Sequence, residues 1–137
     1  MKSKIFAFLA LLMIGTAVAK AQTIYAIWCE NNKTLYFDYS DEFHAEGLKY
    51  EGQDITKVWA KTDVTIFQDA AWINEVKSSV TKVIFKPSFS SVTPTSTKQW
   101  FYNFNFLQEI EGLKYLNTSQ VTDMSFMFQQ CNLNISY

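Results

Sequence analysis

The sequence contains no arginine: all of the basic charge of its 137 residues sits on twelve lysines, against thirteen acids. Nucleic-acid binders rely on clustered arginine and a basic face, so nucleic acid is not an expected partner. Histidine and cysteine are almost as scarce, with His44, Cys29 and Cys131 making up the whole set. A zinc site needs three or four ligands at ordered spacings, so no metal and no cofactor are expected. Beyond Gly15 there are only Gly47, Gly52 and Gly112, too few and too scattered for a phosphate-cradling loop. No serine stands in a nucleophile-elbow pattern, and neither cysteine has a basic neighbour to activate it. No catalytic residue is therefore assigned, and no enzymatic activity is expected.

Long apolar runs are also missing, with one exception. Lys2 and Lys4 precede Ile5 to Ala19, which carries no charge, and Ala19-Lys20-Ala21 follows. A basic start, a short apolar stretch and small residues at the cleavage positions predict a secretory signal peptide over 1–21. Fifteen uncharged residues fall short of the ~20 a membrane-spanning helix needs, so no transmembrane span is expected. Removal leaves 116 residues with nine lysines and thirteen acids, a net charge of −4. The expected location is outside the cytoplasm: cell surface, extracellular or periplasmic.

Aromatic residues are abundant. Four tryptophans, seven tyrosines and ten phenylalanines lie beyond the leader, and each buries ~150–250 Å² when packed, enough to build a small core. Export permits a disulfide between Cys29 and Cys131, while two buried thiols acting as small hydrophobes are the other reading. Ile24, Ala26 and Trp28 alternate with Tyr25 and Ile27, Asn31-Asn32 turns the chain, and Thr34-Leu35-Tyr36-Phe37 returns, which predicts a hairpin. Asp38 to Gly52 is polar and acidic and reads as a loop or as short strands with turns. Ile55–Trp59 and Val64–Phe67 are strand candidates, and Asp69 caps an expected helix through Trp72, Ile73 and Val76. From Val80 onward the spacing changes. Val80-x-x-Val83-x-Phe85 has leucine-rich-repeat spacing, and Leu107-x-x-Ile110-x-x-Leu113 and Leu133-x-Ile135 follow it. The steps from Val83 to Ile110 and from Ile110 to Ile135 both fall within the period of such repeats, roughly 20–29 residues. Short helices are expected at Ser96–Phe101 and Thr118–Phe128.

The segment Ile110–Cys131, IEGLKYLNTSQVTDMSFMFQQC, carries Leu116-Asn117-Thr118-Ser119, Val121-Thr122, Met124, Met127-Phe128 and Cys131. It resembles the repeat of BspA-family leucine-rich-repeat surface proteins of Bacteroidetes type, and YAIWCENNKTLYF and VTKVIF upstream resemble the N-terminal regions of such proteins. The resemblance implies an α+β fold: a β-rich N-terminal cap over 22–79, then a short leucine-rich-repeat-like solenoid of about two coils over 80–137, with parallel strands and short helices. It implies a repeat-motif core of Val83, Phe85, Trp100, Phe101, Ile110, Leu113, Leu116, Val121, Met124, Met127, Phe128 and Cys131. It also implies a secreted or cell-surface protein-interaction or adhesion module, with host or bacterial surface proteins as partners. Two alternatives stand beside it, a carbohydrate-binding module and a non-functional truncated fragment of a longer repeat protein. The chain stops inside the strand a further repeat supplies, so an open apolar end around Ile110, Phe128 and Leu133 is expected, with marginal stability or self-association through it.

Three other groups have a chemical reading. His44 sits among Asp38, Asp41, Glu42 and Glu46, an arrangement suggesting a His–carboxylate pair, although an exposed loop of solvated charge explains it as well. Glu109 and Glu111 face the same way on an expected strand, like a glycosidase pair but without a cleft to flank. Trp100-Phe101-Tyr102 with Phe104 and Phe106 reads first as core and second as a sugar-stacking platform.

Overall fold

The computed structural model describes residues 21–62 and 70–133. Residues 1–20 of the expected leader, the strand expected at Val64–Phe67, the Asp69 cap and the strand residue Ile135 lie outside them. Seven strands form: β1 Thr23–Cys29, β2 Thr34–Ser40, β3 Lys49–Tyr50, β4 Gln53–Asp54, β5 Lys57–Lys61, β6 Lys82–Phe85 and β7 Glu109–Glu111. Five of them make one mixed sheet in the order β5-β1-β2-β6-β7, and β3-β4 make a small separate ribbon.

The hairpin forms where alternation and β-propensity place it. β1 and β2 pair antiparallel with Ile27 opposite Tyr36. A 3-10 turn at Glu30–Asn32 joins them, closed by Lys33 in the left-handed region with its N–H on the Glu30 carbonyl at 3.2 Å. β5 adds antiparallel to the other side of β1, which becomes a central strand. β2 then pairs in parallel with β6, Leu35 beside Val83, and β6 in parallel with β7, Val83 beside Ile110.

This arrangement corrects the expected cap-plus-solenoid. The antiparallel hairpin is the middle of one continuous mixed sheet, not a lid on a separate stack, and both the sheet and the main core cross position 79/80. Helix is nearly absent among the described residues: Ile73–Val76 forms a single α-helical turn, and short 3-10 turns occur at Pro87–Ser91 and Leu113–Tyr115. The helices expected at Ser96–Phe101 and Thr118–Phe128 do not form. Gln99 within the first segment and Asn103 just beyond it, and Phe126 within the second and Gln130 just beyond it, have positive φ. A left-handed residue every four positions breaks a right-handed helix before a second turn can close.

The sheet is covered on both faces at its centre. Ile24, Ala26, Trp28, Leu35, Phe37, Val83 and Phe85 point to the larger core, where Trp72, Val76, Val80, Phe89, Trp100, Phe101, Phe104 and Leu107 close over them. Phe37 is the hub, stacked on Phe85 at 4.8 Å and on Trp100 at 5.7 Å, with Trp72 edge-on at 5.1 Å. The Trp72 indole N–H donates to the Trp100 carbonyl at 2.7 Å, so the buried indole keeps a polar partner. The opposite face holds Tyr25, Ile27, Cys29 and Tyr36 under Tyr50 and Ile55. Gly112 (φ 73°) follows β7 where a Cβ would lie 2.2 Å from the Phe85 carbonyl oxygen. Only glycine fits so close to a neighbouring backbone.

Candidate functional site

Beyond the sheet, the chain lays down two matching turn segments, 95–105 and 122–132. In the first, Trp100, Tyr102 and Phe104 donate their N–H groups to the carbonyls of Thr97, Gln99 and Phe101 at 3.1–3.2 Å. In the second, Met127, Gln129 and Cys131 occupy the corresponding places and donate to Met124, Phe126 and Phe128 at 3.2–3.3 Å. The left-handed residues also correspond, Gln99 (59°) with Phe126 (58°) and Asn103 with Gln130 (both 62°). Matched turns let the second segment lie along the first in register. The N–H groups of Thr97, Gln99, Phe101 and Asn103 donate to the carbonyls of Asp123, Ser125, Met127 and Gln129 at 2.9–3.1 Å. Thr122 and Asn132 fasten the two ends, donating to Thr95 and Asn105.

The outer edge of the second segment repeats this chemistry without a partner. The N–H groups of Met124, Phe126, Phe128 and Gln130 correspond to the four donors of the inner segment, and none makes a hydrogen bond among the described residues. Met124, Phe126 and Phe128 are 48%, 52% and 39% exposed there. Phe128 stacks on Phe101 at 5.5 Å, with the rings 26° from parallel. An apolar strip alternating with unpaired amide donors is the chemistry of an unfinished backbone ladder.

A second cluster lies under β3 on the other face of the sheet. The Asp38 carboxylate accepts the Ser88 hydroxyl at 2.5 Å, the Tyr50 hydroxyl at 2.7 Å and the Tyr39 N–H at 2.8 Å. His44 is buried between the edges of Tyr25 and Tyr50, with Nε2 3.9 Å from Asp38 Oδ2 and without a hydrogen-bond partner among the described residues. The exposed-loop reading of His44 is thus corrected; the exposed large apolar side chains of that loop are Phe43 and Leu48. A carboxylate shared by Ser88 and Tyr50 is not a nucleophilic triad, in which the imidazole must stand between serine and acid. Burial, followed by the Asp38 bond and charge, holds the Tyr50 phenol well above its ordinary ionisation range.

The residues singled out in the sequence fall into distinct places. Val83, Phe85, Trp100, Phe101, Leu116 and Met127 are core. Ile110, Leu113, Val121 and Cys131 are half-buried, and Met124 and Phe128, expected inside, lie on the open edge instead. Ile110 and Leu133 pack partly against the main core. Glu109 and Glu111 share a face, where both hold Lys82 at 3.5 and 3.0 Å. Both are solvated partners of Lys82, and only Glu111 lines a cleft, so the two do not face each other across one. Trp100, Phe101 and Phe104 are fully buried, which leaves only Phe106 of that run well exposed and removes the sugar platform. Cys29 belongs to the core on one face of the sheet and Cys131 packs against the core on the other, so both are free thiols. Burial and then the Asp54 charge raise the Cys29 thiol to about 11. The Cys131 thiol donates to the Phe101 carbonyl at 2.8 Å. No group of three or more metal-ligating side chains is present among the described residues, and none of their helices is long and apolar enough to cross a membrane.

Neither the open donor edge nor the buried His44 is announced by the sequence. The first follows from matched left-handed turns at non-glycine residues, for which only Asn103 gives a conventional signal. No protein-family model matches the chain, and comparison with curated proteins and with solved structures gives no match either.

Proposed function

We propose that this chain is an exported protein-interaction module, without catalytic activity, that engages other proteins at the cell surface. The observation that carries the reading is the edge at 122–132, where three large apolar side chains alternate with amide N–H groups that have no partner among the described residues. Apolar surface of this kind marks protein contacts, and an open backbone edge is a template for another polypeptide. The polar groups best suited to chemistry are otherwise engaged: the Asp38 carboxylate takes Ser88 and Tyr50, and Glu109 and Glu111 take Lys82. The leader-like N-terminus and the resemblance of Ile110–Cys131 to BspA-type repeats support export and display, with host or bacterial surface proteins as partners.

The test is a binding panel. Residues 22–137 are immobilised and offered extracellular-matrix and bacterial surface proteins alongside a glycan array. Saturable binding of one or more proteins, with no sugar retained, is the expected result. Saturable binding of a sugar with no protein bound rejects the reading in favour of a carbohydrate module. Fusion of residues 1–21 to a reporter tests the leader, and retention of the reporter in the cytoplasm removes the export half of the proposal.

A further inference from the structure

We infer that the 122–132 edge takes a polypeptide segment of another protein folded as the same succession of turns, one that presents carbonyl oxygens at alternate residues and lays an apolar ring on Phe128. The inference rests on the interaction reading above and specifies the partner's chemistry.

The occupant follows from the ladder already in the molecule. The edge of segment 95–105 is filled by a polypeptide whose alternate carbonyls, from Asp123, Ser125, Met127 and Gln129, meet four N–H groups. Segment 122–132 presents the same four donors one segment further on, in the same left-handed frame, so its outer edge continues an interface whose occupant is known. The carbonyls of Met124, Phe126 and Phe128 are already taken by the turn N–H groups of Met127, Gln129 and Cys131. Among the groups that alternate along this edge only donors remain free. Two copies of the chain meeting edge to edge would set N–H against N–H, which disfavours a second copy as the occupant. The apolar requirement has the same origin. Phe128 lies on Phe101 as a stacked ring, and its outer face is what the next side chain would cover. Offset-stacked aromatic pairs gain free energy beyond the area they bury, so an aromatic residue is the best fit at that position.

The probe is a synthetic peptide of residues 119–133 with Cys131 replaced by serine, because the 122–132 stretch is the sequence that seats on the equivalent inner edge. Its binding to the 22–137 chain is followed by residue-resolved amide exchange. Saturable binding is expected, with exchange at Met124, Phe126, Phe128 and Gln130 slowed at least ten-fold and exchange at Thr97, Gln99, Phe101 and Asn103 unchanged. Phe128→Ala should weaken binding at least ten-fold, Phe128→Leu by less, and Phe43→Ala, an exposed ring in another loop, not at all. The protection of the inner four amides reports whether each variant is folded. The inference is overturned by no binding at millimolar peptide, by binding that leaves the four outer amides unprotected, or by a concentration-dependent dimer that protects those same amides. If a panel protein binds while the outer amides stay exposed, the interaction reading stands and this inference falls. If the peptide docks as described and no panel protein binds, the chemistry assigned to the edge stands, while the broader reading and the assignment of the occupant to another protein fall.

Discussion

Replacing Tyr50 with phenylalanine isolates the polar knot that fastens the β3-β4 ribbon to the sheet. The ring, buried against Tyr36 and His44, stays in place, and only the hydroxyl bonded to Asp38 is lost. A hydrogen bond to a charged group contributes about 1.5–3 kcal/mol. The Asp38 carboxylate keeps Ser88 and the Tyr39 N–H, and its side chain is 14% exposed, so water can partly replace the phenol. The expected loss is therefore at the low end, about 1.5 kcal/mol. Asp38→Ala leaves two hydroxyls without their acceptor and should cost about 3–4 kcal/mol on the same scale. In the Asp38→Ala background Tyr50→Phe should cost almost nothing, giving a coupling of about 1.5 kcal/mol in a double-mutant cycle. Urea unfolding of the four proteins measures it. The same phenol sets an alkaline dependence. Its ionisation is raised above 10.0 in the folded protein, so above about pH 10 the unfolded chain loses the proton first and stability falls by up to about 1.4 kcal/mol per pH unit. Tyr50→Phe should remove that part of the slope. A change under about 0.5 kcal/mol on Tyr50→Phe, or strict additivity with Asp38→Ala, would refute the account of the knot.

Three further outcomes follow from the packing. Gly112→Ala places a Cβ 2.2 Å from the Phe85 carbonyl oxygen at a φ of 73°, and should lower stability by at least about 2 kcal/mol in chemical unfolding; a change within error would show that β7 shifts freely. The Cys29 thiol, raised from 9.0 to about 11, keeps its proton in the fold longer than in the unfolded chain, so stability should fall by about 1–3 kcal/mol as pH rises from about 9 to 11; Cys29→Val should flatten that interval, and an unchanged slope would rule the thiol out. With Cys29 and Cys131 on opposite faces, thiol titration of protein unfolded without reductant should find both free, and dithiothreitol should leave the melting temperature unchanged, whereas a disulfide over so long a loop would contribute about 4–5 kcal/mol.

The hairpin was legible because Ile24 to Phe37 combines period-two alternation with β-prone residues, and local pattern there agrees with tertiary burial. The strand through Val83 and Phe85 was legible for the same reason. The sheet order was legible only in part: the repeat spacing put Val83 and Ile110 on neighbouring parallel strands, but the join of that pair to the hairpin was not legible. The parallel pairing of Leu35 with Val83 joins segments far apart in the chain, and neither segment encodes its neighbour. The expected helices failed because spaced apolar residues in a turn segment resemble a helical stripe, while the left-handed backbone at Gln99 and Phe126 has no compositional mark. The burial of His44 was hidden because an acidic stretch reads as solvated; the aromatic walls of Tyr25 and Tyr50 that enclose it come from other strands. Of the candidate edge, the aromatic and methionine residues were visible in the sequence, but the side they face was not.

The mixed character of the sheet also sets an order of assembly. β1 and β2 need to close only the short turn at 30–33, while β2 must wait for β6, and β6 for β7, across much longer stretches of chain. Hairpins form in about 1–10 μs, and longer closures cost more chain entropy. β2 is then the surface on which the later, non-local half condenses. Substitutions at Ile27 or Tyr36 should slow refolding, whereas those in 122–132, added last, should chiefly speed unfolding. Because the last-formed segment carries the unpaired edge, whatever binds there acts as a brake on the first step of unfolding, and its presence should lengthen the lifetime of the folded state more than it hastens its formation.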